Sequence, residues 1–314
     1  MISRALVTGG AGFIGANLVD RLVDDGADVL VVDDLSHGKL ERLGQARQAG
    51  RVQIHQLDIR QQSLHEVTAR FAPEVVFHLA AQIDVRRSVI EPVFDASINV
   101  AGTVNVLAAA AAAGVGQVVF ASSGGAIFGE ADKLPTPESA PRRPMAPYGV
   151  SKLVAEEYLR YFHTAHGVNY VSVGFSNVYG PRQDPQGEAG VVAIFTGKLL
   201  RGERPTIFGD GSQRRDYVYV EDVTDACIRA AGHQGGTYLN IGTGIDTSVL
   251  ELFTMLSELT DSHVDPVFAE SRPGEVGRSA LDATKARRVL GWEPWTSLDD
   301  GLAMTVDWFA AHGR

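Results

Sequence analysis

The stretch Thr8-Gly9-Gly10-Ala11-Gly12-Phe13-Ile14-Gly15 leaves this chain few options, because it lies between the apolar run Ala5-Leu6-Val7 and the helical pattern Leu18, Val19, Leu22, Val23. It reads as strand, tight turn and helix start. Glycines at 9, 12 and 15 permit a sharp reversal, close approach of backbone to phosphate oxygens, and tight packing of helix on strand. The helix start then aims N–H groups and the positive end of its dipole at the same point. About 20 residues on, Asp28-Val29-Leu30-Val31-Val32-Asp33-Asp34 reads as a second strand ending in a carboxylate, where the adenosine ribose of a dinucleotide lies. Asp33 favours NAD over NADP, although Lys39 and Arg42 could reach back to a 2′-phosphate. The plainer alternative is that Asp33 and Asp34 only cap a strand and open a polar loop. Both halves of the fingerprint at the proper spacing favour the cofactor reading.

Strand and helix patterns continue to alternate. Arg4–Thr8, Val29–Asp33, Val52–Leu57, Val75–Leu79, Val118–Ser122 and Tyr170–Gly174 read as strands, which predicts an α/β fold built on a doubly wound parallel sheet of Rossmann type. Functional residues then collect at the carboxyl ends of the strands. Asp58-Ile59 closes the third strand, where a carboxylate can accept from an adenine amino group, and His78-Leu79-Ala80-Ala81 closes the fourth with small residues against which a dinucleotide can lie. Strand-end packing explains either equally well. Asn99, polar on an otherwise apolar helix face, reads also as a core asparagine tying helix to sheet. After residue 175 the alternation becomes irregular, and Pro181, Pro185, Gly190, Gly202, Gly209 and Gly211 break the chain into short elements. The expected division is a dinucleotide-binding domain over 1–175, with a return strand near 238–242, and a smaller α/β lobe over 176–314 that closes over a substrate.

Net charge and hydropathy narrow the function classes. A formal net charge of −10 disfavours nucleic-acid binding, so an anionic ligand must meet a local cluster of arginines. No apolar run approaches the roughly 18 residues that span a bilayer, and the alanine-rich stretch from Val106 to Val115 reads as a buried helix. The phosphate-binding turn starts within the first ten residues, leaving no room for a cleavable signal, so the cytoplasm is expected. Cys227, alone, reads as core. The nine histidines, His163 and His166 included, show no metal-ligand spacing, and no metal is expected.

Tyr148-Gly149-Val150-Ser151-Lys152 follows a proline-rich loop and opens a long helix. Positions i and i+4 share a helix face, so a phenol and an ammonium project to one side, one turn apart. A tyrosine titrates near pH 10 and is a poor base at neutrality. An adjacent ammonium and a cationic nicotinamide favour the phenolate and lower that value toward a useful range.

These residues, with Gly9, Gly12, Gly15 and Asp33, make the sequence resemble the extended short-chain dehydrogenase/reductase family, and within it the UDP-glucose 4-epimerase-like sugar-nucleotide enzymes. The resemblance covers nearly the whole chain. It is supported by His78-Leu79-Ala80-Ala81, by Ser122-Ser123 followed by Phe128-Gly129, by Asn177-Val178-Tyr179-Gly180-Pro181-Arg182, by Arg215-Asp216-Tyr217 and by Arg272-Pro273-Gly274-Glu275. It implies Tyr148 as base, Lys152 as the residue that holds the nicotinamide ribose and tunes the phenol, and Ser123 as a third catalytic group. Around NAD it implies Gly9, Gly12, Phe13, Ile14, Gly15, Asp33, Asp58, Ile59, Leu79, Ala80, Ala81, Asn99 and Ser122. For the sugar nucleotide it implies Asn177, Val192, Phe208 near the uracil, Arg215 and Arg272 clamping the diphosphate, and Ser279.

The implied reaction oxidises the sugar 4-hydroxyl and reduces the resulting ketone on its other face, regenerating NAD in place. One departure stands out. The family usually carries Ser or Thr at the position aligned with Gly124, so Ser123 or a water must substitute. The related 4,6-dehydratases place Asp and Glu where this chain has Gly125 and Ala126, so dehydration is disfavoured. Decarboxylation is disfavoured because a glutamate of that region is missing, and a net oxidoreductase or a non-catalytic NAD sensor stand as further alternatives. Ser279 aligns with a bulky tyrosine of epimerases restricted to glucose and galactose, so space for a 2-acetamido group is expected. Family members dimerise through two helices, and the helix near Asn99 to Ala113 and the one following Tyr148 are the candidate faces for a homodimer.

Overall fold

The computed structural model describes residues 1–185, 190–271 and 276–312. Its backbone begins with β1 (Arg4–Thr8), α1 (Phe13–Asp24), β2 (Asp28–Asp33), α2 (Gly44–Gln48), β3 (Val52–Gln56), α3 (Ser63–Phe71) and β4 (Val75–His78). There follow α4 (Val85–Ile90), α5 (Pro92–Ala96), α6 (Thr103–Ala112), β5 (Gln117–Ser123), α7 (Gly124–Ile127), α8 (Pro147–His166) and β6 (Asn169–Phe175). The remainder comprises β7 (Asn177–Tyr179), α9 (Val191–Leu200), β8 (Thr206–Phe208), β9 (Arg214–Tyr219), α10 (Val220–Ala231), β10 (Gly236–Ile241), β11 (Asp246–Ser248), α11 (Val249–Leu259), β12 (Val267–Ala269), β13 (Arg278–Ser279), α12 (Thr284–Leu290) and α13 (Leu298–His312).

Seven strands form one parallel sheet in the order β10-β6-β5-β4-β1-β2-β3. The order reverses at β1, where β4 lies on one side and β2 on the other, in parallel register Val7↔Phe77 and Val7↔Val31. That reversal opens the crevice in which doubly wound sheets bind ligands. Strand residues on both faces are buried, as crossover helices require: Leu6, Leu30, Val76, Val118 and Phe120 pack with Val106, Leu107, Ala109, Ala110, Ala155 and Leu159 of α6 and α8.

The chain divides into two compact units whose sequence segments interleave. Unit 1 holds Met1–Ile127, Pro144–Gly174 and Thr224–Leu239; unit 2 holds Phe128–Arg143, Phe175–Val223 and Asn240–Arg314. The segment Phe128–Arg143 goes with unit 2 because Thr136 exchanges backbone bonds with Ala280 and Asp282. Unit 2 is organised on β9, which pairs with β7, β11 and β13. Its core gathers Tyr179, Phe195, Ile207, Tyr219, Leu252, Leu256 and Leu302.

The helical stretch Pro92–Ala112 departs from the expectation about apolar runs. It is 21 residues long and contains an 18-residue window with a mean hydropathy of 1.4, enough by length and composition to cross a membrane. It nevertheless contains Asp95, Asn99 and Thr103, all buried and hydrogen-bonded, and it supplies core residues to unit 1. A wide turn of π type over Ser97–Gly102 interrupts it. Such turns cluster at functional sites.

Candidate active site

In unit 1 the glycine turn is built for close approach. Gly9 has φ 71°, and a Cβ there would stand 2.7 Å from the Ala80 nitrogen at the end of β4. A Cβ at Gly15 would be driven into the Gly9 carbonyl oxygen. The N-cap of α1 is Gly12, which has no side chain to satisfy the first-turn N–H groups, while Phe13 and Ile14 begin the helix itself. Asp33 ends β2 beside this turn and accepts from Ala11 N and Leu35 N, both at 2.9 Å. Burial raises its pKa, and those two backbone bonds oppose the rise. A carboxylate offers about four acceptor positions, so two remain for ribose hydroxyls. These residues fit NAD. Arg42 donates to the Ala11 and His37 carbonyls at 3.4 and 3.2 Å, beside the same turn.

Asp58 takes Arg60 Nε at 3.0 Å, and that hydrogen bond holds the carboxyl below its usual range. Ile59 is core, and its carbonyl accepts from Asn105 Nδ2 at 2.7 Å. At the end of β4, Leu79, Ala80 and Ala81 are half-buried. They are held by a directed chain of hydrogen bonds through His78. Thr103 Oγ1 donates to the Asn99 carbonyl (2.7 Å), so it accepts from His78 Nε2 (2.9 Å). Nδ1 then accepts from Thr8 Oγ1 (2.7 Å), which in turn receives Ala80 N (3.3 Å). Burial drives the His78 pKa down to about 3, with Lys152 adding to the fall, so the ring is neutral.

Two residues expected around the cofactor spend their side chains elsewhere. Asn99 Oδ1 accepts Gln82 N (2.9 Å) and its Nδ2 donates to Gln82 O (2.8 Å) and Asp95 Oδ1 (2.9 Å). Its amide anchors the loop that follows β4. Ser122 Oγ donates to Glu156 Oε1 at 2.7 Å, turned toward α8, which leaves its backbone alone for a ligand.

Tyr148 and Lys152 lie one turn apart on α8, with the ammonium 5.8 Å from the phenol ring centroid. Lys152 is buried, donates to the Ala121 carbonyl at 2.8 Å, and stands 4.8 Å from the Phe120 ring centroid. Burial lowers its pKa to about 8, opposed by the charges of Asp95 and Glu156. Ser123, the last residue of β5, hydrogen-bonds the Tyr148 side chain. Burial pushes the phenol up to about 12, Ser123 lowers it, and Asp95 raises it further.

In unit 2, Arg215 and Ser279 are Cα partners across the β9/β13 ladder. Arg215 donates to the Arg214 and Gly277 carbonyls at 2.9 and 3.3 Å. Asn177 is exposed at the start of β7, aligned with Tyr217 of β9. Phe208 closes β8, and its carbonyl receives Gln213 Nε2 at 2.6 Å. Val192 departs from expectation. It is 1% exposed and packs in the unit 2 core, in the first turn of α9. Arg272 lies outside the described residues. Among the described residues, no group of three His, Cys, Asp or Glu is placed to hold a metal. Cys227 is buried in α10, where burial pushes its thiol up to about 12.

Sequence reading missed Ser88, Asp95, Ser151 and Glu156, all buried. Asp95 and Asn99 stand four apart on an apolar helix, and Ser151 and Glu156 interrupt the buried face of α8. That is the signal each leaves in the sequence.

The family model described as NAD dependent epimerase/dehydratase family matches residues 5–242. A UDP-glucose 4-epimerase of Mycolicibacterium smegmatis is 48% identical over 307 residues, covering 98% of each chain. The solved structure of the Thermotoga maritima UDP-glucose 4-epimerase with UDP-glucose is similar at 46% identity and a TM-score of 0.95, covering 99% of this chain and 100% of that one. A UDP-N-acetylglucosamine 4-epimerase from Methanobrevibacter ruminantium, solved with UDP-N-acetylmuramic acid, is 33% identical with a TM-score of 0.93 and 98% coverage of both chains.

Proposed function

The chain belongs to the NAD-dependent epimerase/dehydratase family, and we propose that it is a UDP-hexose 4-epimerase acting on UDP-glucose and UDP-galactose and on their 2-acetamido counterparts. The observation that carries this reading is the cluster of Ser123, Tyr148 and Lys152, followed in α7 by Gly125 and Ala126 rather than by an acid and a base.

Bound NAD would supply a hydride acceptor and donor for C4 of the sugar, so no external oxidant would be consumed. Tyr148 accepts the proton of the 4-hydroxyl as the ketone forms and gives it back as the alcohol is restored. Its high pKa in the free protein means that its basicity at neutral pH depends on added positive charge nearby. Lys152 supplies part of that charge and an N–H for the nicotinamide ribose, while Ser123 orients the phenol. In unit 2, Arg215 and Arg272 hold the diphosphate, Phe208 lies near the uracil and Asn177 contacts the substrate. Ser279 leaves space for the acetamido group.

The protein acts as a homodimer in the cytoplasm. The interface is assigned to the helix near Asn99 to Ala113 and the helix following Tyr148; on the first, Ala109 and Ala110 are buried in the core of unit 1, and on the second, Val150, Tyr158 and Tyr161 are exposed.

Purified protein given UDP-glucose will produce UDP-galactose with no build-up of reduced nicotinamide. Stoichiometric reduction of added NAD, or release of a keto sugar, would overturn this in favour of a net oxidoreductase. Ser279→Tyr will lose kcat/KM for the acetamido pair by about tenfold more than for the other pair. An equal loss for both pairs would remove Ser279 from the account.

A further inference from the structure

Buried polar side chains of unit 1 concentrate behind the first two turns of α8. The N-cap residue Ala146 offers no side-chain hydrogen bond. Ser88 of α4 supplies one from 60 positions away, accepting Tyr148 N at 3.1 Å while donating to the Val85 carbonyl at 2.6 Å. One turn later Ser151 Oγ donates to Asp95 Oδ2 at 2.6 Å. Asp95 Oδ1 accepts from Asn99 Nδ2 at 2.9 Å and Gln82 Nε2 at 3.1 Å. Asp95 has no exposed surface, and Ser151, Asn99 and Gln82 are all neutral donors. Burying a carboxylate on neutral donors is costly, and an asparagine of the same size would keep one acceptor oxygen and need only a rotated Ser151 hydroxyl. The charge itself therefore calls for a reason. Ser151 lies between Tyr148 and Lys152 in the chain, and both feel the Asp95 charge.

We propose that Asp95 is a positioning residue for the reaction. Through Ser151 it fixes the turn of α8 that carries the catalytic pair, and its buried side chain, held behind that turn, acts on both members of the pair. This rests on the reading of Tyr148 as the acid–base group. The groups that face Lys152 are neutral His78 on β4, the Phe120 ring and Ala121 carbonyl on β5, Asp95 on α5, and Tyr148 and Glu156 on α8 itself. Asp95 and Glu156 both support the ammonium, but of these two carboxylates only Asp95 also opposes ionisation of the phenol. The two carboxylates can therefore be told apart.

In the NAD-loaded enzyme, where added positive charge favours the phenolate, the acid limb of the kcat/KM profile reports ionisation of Tyr148 and the alkaline limb reports loss of the Lys152 proton. Asp95→Asn removes a charge that raises both pKa values, so both limbs move to lower pH, by about one unit. Glu156→Gln moves only the alkaline limb down. A uniform loss of rate with the limbs of Asp95→Asn unmoved would overturn the proposal, as would identical shifts in both variants. A readout without turnover is the ultraviolet phenolate titration of the NAD-free protein. One tyrosine titrates about a unit lower in Asp95→Asn, and that difference disappears when Tyr148→Phe is added; an unchanged titration counts against the proposal. Should Asp95→Asn not fold, Ser151→Ala leaves the charge less compensated and moves both limbs upward by a few tenths of a unit, while unmoved limbs reject the idea. Retained activity in Tyr148→Phe alone would instead reject the functional reading beneath it.

Discussion

Unit 1 and unit 2 position their functional side chains by different means. In unit 1 the spacing along the chain does most of the placing: three glycines in one turn, a carboxylate at the end of the next strand, and a phenol and an ammonium one helical turn apart. In unit 2 the placing is done across the chain. Arg215 and Ser279 meet because β13, only two residues long, pairs with β9. That pairing is pinned by the buried carboxylate of Asp216, which accepts from Thr243 N, Thr243 Oγ1, Gly244 N and Leu281 N at 2.7 to 3.1 Å. The neighbouring Arg214 and Arg278 are both paired with Asp246. Local spacing makes a site that reads directly from sequence and fails at single atoms, whereas cross-chain pairing makes one that fails when a buried anchor is lost.

The largest effect expected from this contrast is in unit 1. Tyr148→Phe will lower kcat by about a thousandfold with melting temperature nearly unchanged, since only the acid–base group is removed. A loss of activity that tracked loss of folded protein would erase the distinction. In unit 2, Asp216→Ala leaves four donors without their acceptor and will cost about 3 kcal/mol of stability, measured by urea unfolding. A loss below about 1 kcal/mol would show that the β9/β13 register does not depend on this anchor. Arg215→Ala, on the same ladder, will raise KM for a UDP-sugar by about tenfold and leave kcat nearly intact, because a diphosphate contact is made equally in ground and transition states. A fall in kcat alone would place Arg215 in the chemistry of unit 1 instead.

The residues proposed for the catalytic half stand out in the sequence because each of their motifs sits within one or two adjacent elements. Gly9 and Asp33 follow from turn and strand spacing, and Tyr148 and Lys152 share a helix face, with their roles implied by the family resemblance. The role of Asn99 was half-visible: a polar residue on an apolar helix face signals a buried network, but which atoms it serves depends on Gln82, seventeen positions away. Ser122 and Val192 were placed on ligands by resemblance, yet their side chains turn to Glu156 and to the unit 2 core. No local pattern reveals such turns. The phenol illustrates the same limit, since its direction of shift depends on burial and on Asp95, which packing decides and spacing does not.

The smallest expected effect lies on the surface of unit 1. Arg60 holds the Asp58 carboxyl below its usual range, so this pair contributes stability above the ordinary aspartate pKa that is lost as pH falls through the lower folded value. The pair is partly exposed, and Arg60→Ala will therefore cost under about 1 kcal/mol at neutral pH and nothing once Asp58 is protonated in both states. A cost that persisted in acid would trace to the Arg60 hydrogen bond to Ser97 Oγ at 3.1 Å and to its packing near Phe94.

The central claim is that one hydrogen leaves C4 of the sugar and comes back to the same carbon without meeting solvent. UDP-glucose carrying deuterium at C4, turned over in ordinary water, tests it by NMR and mass spectrometry of the UDP-galactose formed. The account predicts that the deuterium stays at C4 of the product. Loss of the label to water during epimerisation, or no epimerisation at all, would contradict it.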